Sequence, residues 1–185
     1  MHISKTKLQK LFLLVCAILS LAALAVTQDQ DQPSRGPSTP QERARFVAIA
    51  HKMEENPLDP SLRQDRDWAT HWIIDIPDLN VNPCANLLGN FMESPYRYKA
   101  EINGQVAFSM AAFMIEHPDK VGDIVATNTA ALEGALKAYR SILRIEPTAQ
   151  SPFLEGLAQE ESEGKLTDYV RELVKKGCDN GDEQG

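Results

Sequence analysis

Residues Leu132–Pro147 read LEGALKAYRSILRIEP. Leu132, Ala135, Leu136, Tyr139 and Leu143 recur at the three-and-four spacing that puts apolar side chains on one face of a helix. Pro147 ends the run, because its ring clashes with the preceding turn and removes a backbone donor. This stretch therefore specifies one amphipathic helix. Whether the chain repeats it decides the architecture.

Upstream, helical signals recur and strand signals are nearly absent. Thr39 is an N-cap, Pro40 suits the first helical position, and Glu42 completes a capping box. Phe46, Ile49, Ala50 and Met53 then share a face until Asn56-Pro57. A second helix starts near Asp59-Pro60 with Leu62, Ala69, Trp72, Ile73 and Ile76 as its apolar side, and Pro77 restricts the residue before it. A third is predicted from Asn82-Pro83, with Cys84, Leu87, Leu88 and Phe91 on one stripe. A fourth, about Tyr98 to Glu116, is apolar nearly all round, which predicts a buried central helix. Asp119 is the expected N-cap of the fifth, which runs to Ile145 and is expected to bend at the weak helix formers Thr127-Asn128-Thr129. Ser151-Pro152 opens a short helix, and Leu166, Tyr169, Val170 and Leu173 mark the last. These signals predict an all-α fold, a compact bundle of six or seven short-to-medium helices in hairpins, with no sheet.

The Leu132–Pro147 helix resembles the second helix of a tetratricopeptide repeat. Such a repeat spans about 34 residues over two helices. With Pro147 as the terminal proline, Ala135 and Tyr139 fall on the small and aromatic positions. The first helix then requires a large aromatic, a Leu-Gly pair and a Tyr, but the chain has Asp119, Gly122, Asp123 and Ala126 there. One repeat downstream, Thr167 and Arg171 replace the small and aromatic residues. The likeness covers half a motif, so the stretch reads as one arm of a hairpin rather than a repeat array.

The N-terminus carries a different signal. MHISKTKLQK holds three lysines and no acid and runs into the apolar residues Leu11–Val26, ending near Ala23-Leu24-Ala25. A basic start, an apolar middle and a small-residue exit read as a signal peptide over residues 1–25. The apolar run is shorter than the roughly 20 residues of a membrane span, although retention as an anchor is the alternative. The expected organisation is signal peptide 1–25, linker 26–38 rich in Gln, Asp, Pro and Ser, a helical domain 39–178, and an acidic tail 179–185. Cleavage removes three lysines and makes a chain of net charge −7 more acidic still, against nucleic-acid binding by bulk charge. Export across the inner membrane to the periplasm or medium follows, with no membrane span after cleavage. Of the cysteines outside the signal, Cys84 and Cys178 are expected to pair, with two free thiols as the alternative.

The longest polar-aromatic cluster is RQDRDWATHWIID, residues 63–75. Asp67, His71 and Asp75 are spaced by four, as are Trp68 and Trp72, so each set shares a helix face. As a catalytic group, His71 would be a general base oriented by Asp67 or Asp75. The alternative makes the tryptophans core edge and the charges solvated pairs. Residues 94–99, SPYRYK, place Tyr96 and Arg97 in a loop, a second candidate recognition patch. His51 with Glu55, and His117 beside Glu116 and Asp119, are acid–base neighbours without metal-ligand spacing. No cofactor or metal is expected, and no nucleophile elbow or phosphate loop is present.

Over its length the chain also resembles a group of secreted bacterial proteins of unknown function built as a signal peptide and a helical domain. NPLDPSLRQDRDWATHWIIDIPDLNVNPC, IEHPDK, LEGALKAYRSILRIEP and SPFLEGL carry the likeness. It implies export and an all-α fold, and no activity. The expected function is binding or structure, with an unidentified protein or small-molecule partner, in a groove near Trp68, Trp72 and Tyr96. An enzyme using His71 is the alternative.

Overall fold

The computed structural model describes residues 35–178, so the stretches read above as signal peptide, most of the linker and acidic tail lie outside the described residues. Six α-helices and no strands are present among them: α1 Pro40–Glu55, α2 Arg63–Asp75, α3 Lys99–Glu116, α4 Ile124–Ile145, α5 Pro152–Ser162 and α6 Leu166–Lys175. α3 packs chiefly along α4, α1 packs against both, and α2, α5 and α6 cover the outside of this triad.

The start of α1 follows its sequence signals. Thr39 Oγ1 accepts from the Glu42 amide at 3.2 Å, while the Glu42 carboxylate accepts from the Thr39 amide at 2.8 Å. Asp78, in the turn after α2, accepts from the Ser38 amide and hydroxyl at 2.9 Å each and from Arg43 at 2.9 Å. The Ser38 amide, followed by these other donors, lowers the Asp78 carboxyl to about 2 despite some desolvation. This acid ties the exit of α2 to the entry of α1.

Residues 82–94 differ from the predicted third helix. They form turns followed by a short 3₁₀ segment at Gly89–Glu93. Leu87 donates to the Cys84 carbonyl, Gly89 to Asn86 and Phe91 to Leu88, all three residues back. Gly89 at φ 48° breaks the α-helical path where most side chains would be strained. Because a 3₁₀ turn also brings i and i+3 together, Cys84, Leu87, Leu88 and Phe91 are buried as one group all the same. Cys84 and Cys178 are disulfide-bonded, Cα atoms 4.7 Å apart, which staples the end of α6 to this irregular segment.

Three further details of α4 depart from the sequence reading. Asp123, not Asp119, is the N-cap, accepting from the Ala126 amide at 3.0 Å, and Pro118–Lys120 forms a 3₁₀ turn instead. The helix continues through Thr127-Asn128-Thr129. These weak helix formers are buried, and their polar atoms are satisfied locally: Thr127 and Thr129 donate to carbonyls one turn back, as does Asn128 Nδ2. Asn128 Oδ1 accepts from the Cys84 amide at 2.9 Å, so this asparagine also anchors the irregular segment.

Along Leu132–Pro147 the buried stripe is Leu132, Ala135, Leu136, Tyr139 and Ile142, with Leu143 half-buried beside it. Each fully buried aliphatic side chain contributes about 1.5–3 kcal/mol. Gly134 lies in the same stripe. A Cβ there would stand 1.9 Å from Ser109 Oγ, 2.4 Å from Ser109 Cβ and 2.6 Å from Glu54 Oε1. Glycine is what lets α4 approach α3 closely enough to seat a carboxylate from α1 between them.

Candidate functional site

Two polar sites stand out, one in a loop cleft and one between the central helices. The first is built from SPYRYK. Ser94 to Tyr98 form a loop ahead of α3, and residues 146–152 link α4 to α5, stopped by Pro147 and capped by Ser151. Between these loops lies a cleft of about 330 Å³ walled by Tyr96, Arg97, Tyr98, Glu146, Gln150 and Ser151, with Pro95 and Pro152 at its margins.

Inside the cleft the charges are paired. Arg97 donates to both oxygens of Glu146 at 3.1 and 3.3 Å, and its guanidinium sits 4.9 Å from the Tyr98 ring centre. Tyr98 also donates to Glu146, a bond that raises its hydroxyl above the ordinary tyrosine range. Tyr139, from the core face of α4, donates to Glu155 at 2.5 Å and accepts from the Ser151 amide at 2.9 Å. Burial and then Glu155 push its hydroxyl up to about 12, so it stays a proton donor.

Tyr96 is the exception. Its ring meets Tyr98 and Tyr139 edge-on, at centroid distances of 6.0 and 6.3 Å, and leans on Phe91 at 5.5 Å. Its hydroxyl is buried and has no hydrogen-bond partner among the described residues. Desolvation raises it strongly, keeping it neutral. A buried hydroxyl left unpaired costs about 1–3 kcal/mol.

The tryptophans belong elsewhere. Trp72 is buried, stacked on Phe46 at 4.8 Å, and Trp68 stacks on Trp72 at 5.8 Å under the Arg45 guanidinium at 3.9 Å. They close the α1–α2 edge of the core, whereas Tyr96 makes its ring contacts with Phe91, Tyr98 and Tyr139. No ring contact joins Tyr96 to the indoles among the described residues, and the same four-residue spacing that pairs the indoles turns Trp72 into the core. The Trp72 indole N–H is buried without a partner among the described residues.

His71 sits on the exposed face of α2, and its Nδ1 lies 2.7 Å from the Asp67 carbonyl. The ring is tied to its own helix backbone, and neither the Asp67 nor the Asp75 carboxylate reaches it. Spacing of four along a helix makes such contacts available and does not select between side chain and backbone.

The second site was not anticipated. Glu54 on α1 is only 6% exposed. Its Oε1 accepts from Ser109 at 3.0 Å, and its Oε2 lies 3.3 Å from His51 Nδ1 and 3.4 Å from Lys137 Nζ. Gln105 donates to Ser109 Oγ at 2.8 Å and to the Ala50 carbonyl at 3.2 Å, and Ser141 donates to the Glu54 carbonyl at 2.7 Å. His51 Nε2 lies 3.1 Å from Glu116 at the end of α3. His51 therefore pairs with Glu54 and Glu116 and not with the expected Glu55. Its sequence signal was a polar residue following Met53 on an otherwise apolar stripe.

Compared with protein-family models, curated proteins and solved structures, the chain matches none of them.

Proposed function

We propose that this is an exported binding protein whose recognition site is the cleft between residues 94–98 and 146–152. One observation carries the reading: two loops about fifty residues apart enclose a cleft of about 330 Å³ lined by Tyr96 and Tyr98, and the buried, neutral Tyr96 hydroxyl has no partner among the described residues. A buried polar group without a partner calls for an explanation, which a bound ligand in the adjoining cleft would supply. Because Arg97 and Glu146 already neutralise each other, the cleft suits an uncharged ligand with one flat face and hydrogen-bonding groups. Its volume lies at the small end of ligand pockets, about 300–1,000 Å³. A sugar ring or a short prolyl peptide fits that description. Export is supported by the basic, apolar and Ala23-Leu24-Ala25 succession at the N-terminus.

Titration of the ¹⁵N-labelled protein with uncharged saccharides and short proline-containing peptides tests this. The expected result is perturbation of amides in 94–98 and 148–151 by at least one probe. Tyr96→Phe should then weaken that probe by roughly 2–10-fold, the worth of one hydrogen bond. Equal binding by Tyr96→Phe, or shifts confined to other segments, would refute the assignment.

A further inference from the structure

Charged groups from three helices surround His51. Glu54 and Glu55 lie on its own helix, Glu116 ends α3, and Lys137, Arg140 and Arg144 face it from α4 across a cleft of about 410 Å³. The cations are engaged: Arg140 with Glu161 at 2.5 Å, Arg144 with Ser141 at 2.8 Å, and Lys137 with Glu54 at 3.4 Å. What remains at the imidazole is an oxygen acceptor on each side, 3.3 Å from Nδ1 and 3.1 Å from Nε2. Carboxylates accept, so both contacts are hydrogen bonds only if both ring nitrogens carry protons. A neutral imidazole has one N–H and can serve one of the two.

We infer that His51 is a proton-operated latch, closed as imidazolium between α1 and the end of α3 and released from Glu116 when it loses its proton. His51 thus bridges two carboxylates on different elements, the buried Glu54 on its own helix and the exposed Glu116 at the end of α3. Burial by itself opposes the charged ring, but the hydrogen bonds to Glu116 and Glu54, with their charges, outweigh it and raise the His51 pKa. Relative to an unfolded histidine at about 6.5, a raised folded value makes the latch fully stabilising below that pH. Its contribution is lost as pH rises through the folded value.

Which contact survives follows from exposure. The Glu54 side chain is 7% exposed and Glu116 39%. Water replaces a lost donor at Glu116 cheaply, whereas it reaches Glu54 poorly. The single proton of neutral His51 therefore stays on Nδ1. Release frees the last turn of α3 and the 3₁₀ turn Pro118–Lys120 that follows it.

Imidazole ¹H–¹⁵N NMR of the full chain from about pH 5 to about pH 8 reads both statements. The expected His51 midpoint lies above about 6.5, and the neutral ring above it is the Nδ1–H tautomer. Glu116→Gln, at an exposed position that leaves the core intact, lowers the midpoint, because the amide keeps an acceptor and removes a charge. A midpoint at or below about 6.5, an Nε2–H tautomer, or an unchanged midpoint in Glu116→Gln overturns the latch.

Discussion

Replacing Gly134 by alanine probes the tightest glycine position among the described residues. The new methyl would meet Ser109 Oγ at 1.9 Å, Ser109 Cβ at 2.4 Å and Glu54 Oε1 at 2.6 Å, all far inside ordinary contact. Ser109 is 5% exposed and Glu54 6%, so neither side chain has free space at hand. Overpacking of this kind costs about 1–3 kcal/mol. Displacing Ser109 from Glu54 adds about 1.5–3 kcal/mol, the worth of a hydrogen bond to a charged group. Against this stands a helix-propensity gain of about 1 kcal/mol for alanine over glycine. The net expectation is a loss of about 1.5–5 kcal/mol. For a domain of this size that is a fall in midpoint of roughly 3–20 °C. Urea denaturation followed by circular dichroism at two protein concentrations measures it. Ser109→Gly together with Gly134→Ala removes two of the three clashing atoms and should recover part of the loss. If Gly134→Ala is neutral or stabilising, propensity alone is acting, and α3 and α4 do not approach as described.

Other consequences are separately measurable. Asn128→Ala leaves the buried Cys84 amide without its acceptor and should cost about 1–3 kcal/mol by chemical denaturation, whereas Thr129→Ala, whose hydroxyl only back-bonds within α4, should cost less. Reducing the Cys84–Cys178 bond frees a loop spanning a sequence separation of 94 residues. The chain-entropy model gives a loss of up to roughly 4–5 kcal/mol, and unchanged denaturation of the Cys84→Ala, Cys178→Ala protein would contradict a structural bridge. The Asp78 carboxyl is lowered in the folded state, so its contribution is present above the unfolded value of about 3.9 and is lost as pH falls towards about 2. Asp78→Asn should accordingly make hydrogen exchange at Ser38–Arg43 faster at neutral pH and less dependent on acid.

Much of the fold was legible because helix ends are chemical events local to a few residues. Thr39, Pro40 and Glu42 specify the start of α1 whatever packs on it, and Ser151-Pro152 does the same for α5. Residues 82–91 misled because a period near three is shared by α-helix and 3₁₀ turns, and the left-handed Gly89 is visible only in the backbone. At Thr127–Thr129 low propensity was overridden by burial and by partners supplied from the same helix and from Cys84. Of the candidate site residues, Tyr96 and Arg97 were legible as a loop patch. Their cleft was not, since Glu146 and Ser151 come from a segment about fifty residues away.

LEGALKAYRSILRIEP shows where the division falls. Its spacing and its proline determined an amphipathic helix, because apolar periodicity and the missing proline donor act within a few turns of one chain. Only the tertiary structure decided that Gly134 in that helix must stay small, that Tyr139 would support a cleft, and that Lys137 and Arg144 would face His51. Those outcomes depend on where α1 and α3 place Glu54, Ser109 and Glu116. Distances between side chains on different helices are set by packing, and no spacing along a single helix encodes them.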